Sequence, residues 1–232
     1  MIEKEILMVR IIKEPAVRRS EILDAAQRLL YRKGYEQMTI QDVLDDTHIS
    51  RGAFYHYYDS KQALLEGLIE RTGEEGMQLI RPILTDPGLN ALQKLQVYFD
   101  SAMRWKTAQK ATLIPILRVW YSDDNALLRQ KELAAGKKIM IPLLTDVLRQ
   151  GITEGLLAAP HPEQMAEVLA ALILGLSDAL GELILAAQAG SADLVRVEAT
   201  AAAYTYSIER ALGAAPSSLK LIDMKTMKQW FL

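Results

Sequence analysis

The sequence predicts an all-α protein, and three observations carry that prediction. Leu, Ala, Ile, Glu, Gln and Lys dominate its periodic segments. Alternating runs of β-branched residues are absent. Apolar residues recur three and four positions apart over most of the chain, the spacing of one helix face. Half of the 232 residues are hydrophobic and 24% are charged, so a folded chain with a sizeable core is expected.

The first helix is expected from about Ala16 to Lys33. Ile22, Ala26, Leu29 and Leu30 form its apolar stripe. Pro15 suits its start, and Gly34 after the cationic Lys33 suits its end. Thr39 opens the second helix, with Asp42 completing a capping-box pattern, and Ile40, Val43 and Leu44 are its buried face. After a short turn, Ser50 caps a third helix that ends near Tyr57 and Tyr58. Asp59 and Ser60 then cap a fourth, from Lys61 to about Ile80.

Pro82 and Asp86-Pro87-Gly88 break the pattern, so the domain boundary is placed between about Glu75 and Gly88. The expected division is 1–75, including an N-terminal extension 1–15, and 76–232. Helices follow near Leu89–Lys106, Ala111–Tyr121, Asn125–Gly155, Pro162–Gln188 and Asp193–Leu212. Pro115 and Pro142 predict a kink or break in two of them. The tail after Pro216, rich in Leu and Met and ending Trp230-Phe231-Leu232, is either a short docked helix or a frayed end. The extension is either an arm or a product of start-site choice, with Met8 as an alternative start.

Composition narrows the function. With no cysteine there are no disulfides, thiolate metal sites or thiol nucleophiles, and three scattered histidines argue against zinc. No metal and no cofactor is expected. Residues 1–12 lack the continuous apolar stretch of a secretory signal, which points to the cytoplasm. The apolar stretch from Val168 to Ala187 is long enough to span a bilayer, but Asp178 and Glu182 lie within it at about 3 kcal/mol or more each. It reads as a buried soluble helix, with no membrane partner. Walker loop, dinucleotide fingerprint, HExxH and nucleophile elbow are all missing, and Ser177, Asp178 and His161 form no triad, so no enzyme is expected. Gly151 and Gly155 read as a helix-end cap and packing feature.

The segment Thr39–Tyr58 has the length and turn of a helix-turn-helix. In its second helix Ile49, Phe54 and Tyr58 can face inward, while Arg51, Ala53, Tyr55 and His56 can face out. Gly52 costs about 1 kcal/mol in a helix relative to Ala, which makes sense where the backbone approaches DNA. Net charge is no guide: the chain carries −2, and residues 1–62 hold ten Lys or Arg against ten Asp or Glu.

The runs Ile22-Leu23-Asp24-Ala25-Ala26, Gly34-Tyr35, Thr39-Ile40-Gln41-Asp42-Val43 and Ile49 through Lys61, followed by Leu64-Leu65, resemble the DNA-binding domain of TetR-type regulators. The resemblance covers residues 18–68 closely; the rest is similar only in being a long helical domain. It implies that Arg51, Ala53 and His56 face bases, and that Thr39, Ser50, Tyr55 and Lys61 touch phosphates. Chemistry agrees: Arg51 can donate a bidentate pair to guanine, and Lys61 lies at a helix N-terminus that favours phosphate. Arg18 and Arg19 are placed to clamp the backbone. Tyr58 departs from the family's usual phenylalanine.

Helix Pro162–Gln188 is apolar nearly all round and needs cover on two sides. Small residues including Ala171, Gly175, Ala179, Gly181 and Ala186 permit close approach, and with Asp193–Leu212 it is expected to form an isologous four-helix homodimer interface. The resemblance implies the same dimer, an operator of double-stranded DNA, and a small-molecule ligand pocket. Met103, Trp105, Ile114, Leu117, Trp120, Tyr121 and Met140 offer a lining, with Arg104, Arg118, Asp178 or Glu182 orienting a polar end. The implied mechanism is a population shift transmitted through the fourth helix: ligand and DNA weaken each other's binding. The alternative is an all-α dimeric interaction module that has lost DNA binding.

Overall fold

The computed structural model describes residues 14–231, so the 1–13 part of the extension and Leu232 lie outside the described residues. Ten α-helices make up this part: α1 (Pro15–Gln37), α2 (Ile40–Thr47), α3 (Arg51–Tyr55), α4 (Lys61–Thr85), α5 (Ala91–Ala108), α6 (Lys110–Trp120), α7 (Ala126–Thr153), α8 (Pro162–Gln188), α9 (Leu194–Leu212) and α10 (Met224–Met227). No strand occurs among the described residues. The chain divides into two compact units, the first ending at Leu68 and the second starting at Ile69.

In the first unit the local signals act where they stand in the chain. Gly34 takes φ 76, ψ 167 and breaks α1 from the turn that follows it. Only glycine enters that region at little cost. The Thr39 hydroxyl accepts from the Asp42 N–H at 3.1 Å, and the Asp42 carboxylate accepts from the Thr39 N–H at 2.9 Å, closing the capping box. The turn between α2 and α3 is made by His48 at φ 53, a left-handed position that histidine tolerates better than most residues. Ser50 accepts from the Ala53 N–H at 3.2 Å, and Ser60 from the Ala63 N–H at 3.0 Å. Ile22, Ala25, Phe54 and Val43 are wholly buried, with Leu30 and Leu64 nearly so. Each large apolar side chain removed from water in this way contributes about 1.5–3 kcal/mol. Tyr58 shares this core. Its Cε1 lies 2.9 Å from where a Cβ on residue 67 would stand, which is why α4 carries Gly67 there.

The second unit is a helical bundle in which α8 packs most extensively on α7 and then on α9. Leu95, Leu144, Leu148, Leu169, Val197, Ile208 and Leu212 form its centre. The helices continue through their prolines: α4, α6 and α7 run past Pro82, Pro115 and Pro142, so of the kink or break expected at Pro115 and Pro142 the break does not occur. An internal proline costs about 3 kcal/mol. Burial of Ile80 and Leu84, of Ile116 and Val119, and of Leu143, Leu144, Val147 and Leu148 offsets that cost. The turn after α4 is made by Asp86, whose carboxylate accepts from the Gly88 N–H at 2.8 Å.

Two glycines of α8 have partners inside the chain. A Cβ at Gly175 would stand 2.8 Å from the Tyr204 hydroxyl, and one at Gly181 would stand 2.7 Å from the Tyr121 hydroxyl. These positions are small to admit tyrosines of α9 and of the residue that ends α6. Gly155 caps α7 at φ 71.

The tail is docked. Buried Glu209 on α9 accepts from the Ser217 and Leu219 N–H groups at 3.1 and 2.9 Å. Gln96 on α5 exchanges two hydrogen bonds with the Lys220 backbone. Trp230 Nε1 donates to Thr107 Oγ1 at 2.9 Å, and Lys110 Nζ to the Gln229 carbonyl at 2.5 Å.

Candidate nucleic-acid interface and effector cavity

The interface is built on α3, whose two sides differ. Phe54 is 0% exposed and anchors the helix in the first unit's core, meeting the Tyr58 ring with centroids 6.2 Å apart. Arg51, Gly52, Tyr55 and His56 are exposed, and Ala53 is half-buried. A Cβ added at Gly52 meets nothing within 4 Å, so its backbone lies open. Tyr55 packs edge-on to Phe54 at 5.5 Å, which steadies a side chain that is otherwise in solvent.

The other expected contacts are distributed around this helix. Thr39, at the start of α2, is exposed, and its hydroxyl is occupied by the capping box. Lys61, the first residue of α4, is half-buried with its ammonium 4.2 Å from the Tyr35 ring centre, donating to the Glu36 carbonyl at 3.2 Å. Arg18 is half-buried and pairs with Glu21 at 2.8 Å, and the Arg19 guanidinium lies 5.7 Å from the Tyr58 ring centre. Five of the expected contacts are thus engaged by groups within the protein: Arg18, Arg19, Thr39, Ser50 and Lys61.

The balanced charge of this region is resolved by pairing. Asp46 binds Arg28 at 2.5 Å and Arg32 at 3.2 Å, and Asp42 binds Lys33 at 2.6 Å. The Lys33 hydrogen bond, then those from Thr39, hold the Asp42 carboxyl down at about 2. Arg28, then Arg32, lowers that of Asp46. These acids are neutralised on the α1–α2 side. Arg51 has no ion-pair partner among the described residues and is available to an outside anion.

The second unit contains a cavity of about 500 Å³ between α4, α5, α6, α7, α8 and the tail. Of the residues singled out in the sequence, Met103, Trp105, Leu117, Trp120, Tyr121, Met140 and Asp178 lie on its wall. Arg104 does not. It is exposed and donates to Ser101 Oγ at 3.0 Å. Helical phase is the reason: Phe99, Ala102, Met103 and Lys106 share the inner face of α5, and residue 104 points about 100° away from 103. Ile114, Arg118 and Glu182 are also off the wall; Arg118 and Glu182 are exposed.

Tyr121 donates to Asp178 Oδ1 at 2.9 Å. Burial, then this hydrogen bond, raises the phenol well above its ordinary pKa, so it remains a donor. Arg129 covers the Tyr121 ring and donates to the Trp120 carbonyl at 2.8 Å. Sequence reasoning missed Tyr98, Lys106 and Lys137, and the tail residues Leu221, Ile222, Met227 and Trp230, all of which line the cavity. The phase of α5, set by Phe99 and Met103, was the available signal for Lys106; the tail contacts are long-range and had none. Among the described residues no three His, Cys, Asp or Glu side chains gather as a metal site.

Residues 22–68 match the model of the bacterial regulatory proteins of the tetR family. The Escherichia coli HTH-type transcriptional repressor NemR is 27% identical over 161 residues, covering 68% of this chain and 80% of NemR. The HTH-type transcriptional regulator TtgR of Pseudomonas putida is 28% identical over 179 residues, covering 73% and 83%. In fold, the chain is similar to a TetR transcription regulator from Haloarcula marismortui, with a TM-score of 0.63 at 19% identity over 85% of this chain and 97% of that one. The matched segment is the one that presents α3, with its buried Phe54 and its open Arg51 side. Residues 22–68 thus carry a DNA-binding domain of the tetR type, and the chain is a DNA-binding transcriptional regulator similar to the members of that family.

Proposed function

We propose that this regulator is a homodimeric, cytoplasmic repressor that reads a near-palindromic operator through α3 and is released by a small molecule held in the second unit. One observation carries the reading. A helix N-terminus fixed by Ser50 and anchored by Phe54 leaves Arg51, Gly52, Tyr55 and His56 open to solvent. Side chains at the N-terminal end of a recognition helix are those that reach base edges in the major groove. In this reading Arg51, Ala53 and His56 face bases. Thr39, Ser50, Tyr55 and Lys61 meet phosphates, Gly52 lets the backbone approach, and Arg18 and Arg19 flank the contact. Residues 1–75 bind DNA, and 76–232 bind ligand and dimerise.

Regulators of this family bind DNA operators and act as dimers. The supporting surface here is on α8 and α9, the 162–188 and 193–212 segments. Val195, Ala199, Ala202, Ala203 and Tyr206 form an exposed apolar stripe along α9, at the i, i+4, i+7, i+8, i+11 spacing of one helix face. Val168 and Ala171 are exposed on α8, and only 39% of the most apolar window of α8 is buried within the chain. A two-fold partner would cover both.

A ligand in the cavity would favour a conformation whose two recognition helices no longer fit half-sites about 34–36 Å apart. By linkage, DNA and ligand then lower each other's affinity. The test is fluorescence anisotropy on an operator duplex, with Arg51→Ala and Lys61→Ala compared with the parent by light scattering. The reading expects loss of operator binding with the dimer intact. Undiminished binding by Arg51→Ala would assign the function to another surface.

A further inference from the structure

The polar groups on the cavity wall are unequally occupied. Its two acids already have partners: Asp178 accepts from Tyr121, and Glu132 is engaged as well. Its two lysines, Lys106 on α5 and Lys137 on α7, make no hydrogen bond or ion pair among the described residues. Lys106 and Lys137 are both solvent-exposed as well as on the cavity wall, and the protein packed around Lys106 lowers its pKa. Tyr98 is 6% exposed, lies on the same wall and has no described partner for its hydroxyl. Burial pushes that phenol up to about 12, so at neutral pH it can only enter as a protonated, donating group. The rest of the wall is dominated by aliphatic, aromatic and Met side chains. The spare hydrogen-bonding capacity is therefore donors and positive charge, set in an apolar chamber. Both ammonium groups keep solvent exposure, so an anion can reach them without displacing an ion-pair partner among the described residues.

We propose that the cavity takes an amphipathic organic anion, an aliphatic or aromatic body with a single carboxylate-like group, whose acidic end is held by Lys106 and Lys137 with the Tyr98 hydroxyl as a further donor. This inference rests on the reading of the cavity as the effector site. The apolar body lies against Trp105, Trp120 and Trp230, and the tail supplies part of its enclosure.

The test uses the full chain and three probes of one length: decanoate, decanol and decylamine. All three tryptophans of the protein line the cavity, so intrinsic fluorescence reads it directly. Decanoate is expected to bind about tenfold or more tighter than decanol, the range of one charge-assisted hydrogen bond, and decylamine weakest. The Lys106→Met/Lys137→Met variant, confirmed folded by circular dichroism, is expected to bind decanoate no better than decanol while keeping decanol affinity. Decanol or decylamine binding as tightly as decanoate to the parent would overturn the anion inference and leave the effector-site reading standing. A preference for decanoate that survives in the double variant would overturn the assignment to these lysines. No fluorescence response to any of the three would overturn the effector-site reading itself.

Discussion

Replacing Phe54 by alanine should destabilise the first unit while leaving every DNA-facing residue itself unsubstituted. Phe54 is 0% exposed and is the one wholly buried side chain of α3. Its removal leaves a cavity worth about 3–5 kcal/mol. The described part of the unit, 14–68, is roughly 55 residues, for which a total stability of about 3–8 kcal/mol is typical. The loss is thus from about two fifths to all of the total. With a urea slope of about 1 kcal/mol/M for a unit this small, the midpoint should fall by about 3–5 M, or to zero denaturant if the unit is less stable than that. Two signals separate the units: Trp105, Trp120 and Trp230 all belong to the second, whereas circular dichroism follows helices in both. The variant should lose helical signal early in urea while its tryptophan transition is far less affected. Arg51→Ala, at an exposed position without an ion pair, is the control and should lie within about 0.5 kcal/mol of the parent. A Phe54→Ala dichroism curve that overlays the parent's would refute the claim that this ring anchors α3.

Acid should weaken the first unit in a defined window. Asp42 and Asp46 have lowered folded-state pKa values, so their contribution is complete above the ordinary aspartate value of about 4 and is lost as pH falls through the folded value, about 2 for Asp42. Dichroism of Asp46→Asn between pH 5 and pH 2, in low salt, should show a shallower decline than the parent; an identical decline would exclude the Arg28–Asp46–Arg32 pairing as its cause. Gly181→Ala places a methyl 2.7 Å from the Tyr121 hydroxyl, forcing it from Asp178. It should cost about 1–3 kcal/mol in thermal unfolding, against an unchanged melt if the ring can simply swing away. Trp230→Ala removes a side chain that is 3% exposed and its bond to Thr107, so the second unit should lose about 3–5 kcal/mol and its cavity should bind a dye such as anilinonaphthalene sulfonate more openly. Retention of the parent's melting temperature would mean that the tail contributes nothing to the bundle.

The features legible in the sequence were those decided within a few residues. Gly34, the Thr39–Asp42 box and Ser50 each satisfy backbone groups of their own helix end, and α8 begins at Pro162 and ends at Gln188 as its apolar run suggests. Phe54 inward with Arg51, Tyr55 and His56 outward follows from helical phase alone. What was not legible depends on partners far along the chain. The local cost of Pro82, Pro115 and Pro142 is plain, but the burial that overrides it is not. Gly175 and Gly181 read as room for a neighbouring helix until Tyr204 and Tyr121 are seen against them. Arg104 follows Met103 in sequence but lies about 100° round α5 from it, whereas Lys106, three residues on, returns to the Met103 face. The tail is held by Glu209 and Gln96, and Gln96 lies 124 positions from its partner Lys220.

The most direct test of α3 as the sequence-reading element is selection from random duplex DNA by the purified protein, with the winning duplex titrated at two salt concentrations. The account predicts an enriched near-palindrome, a steep fall of affinity with salt, and base preferences that relax at one position per half-site when Arg51→Ala is used instead. Failure to enrich any sequence, or an enriched site that Arg51→Ala reads identically, would contradict it.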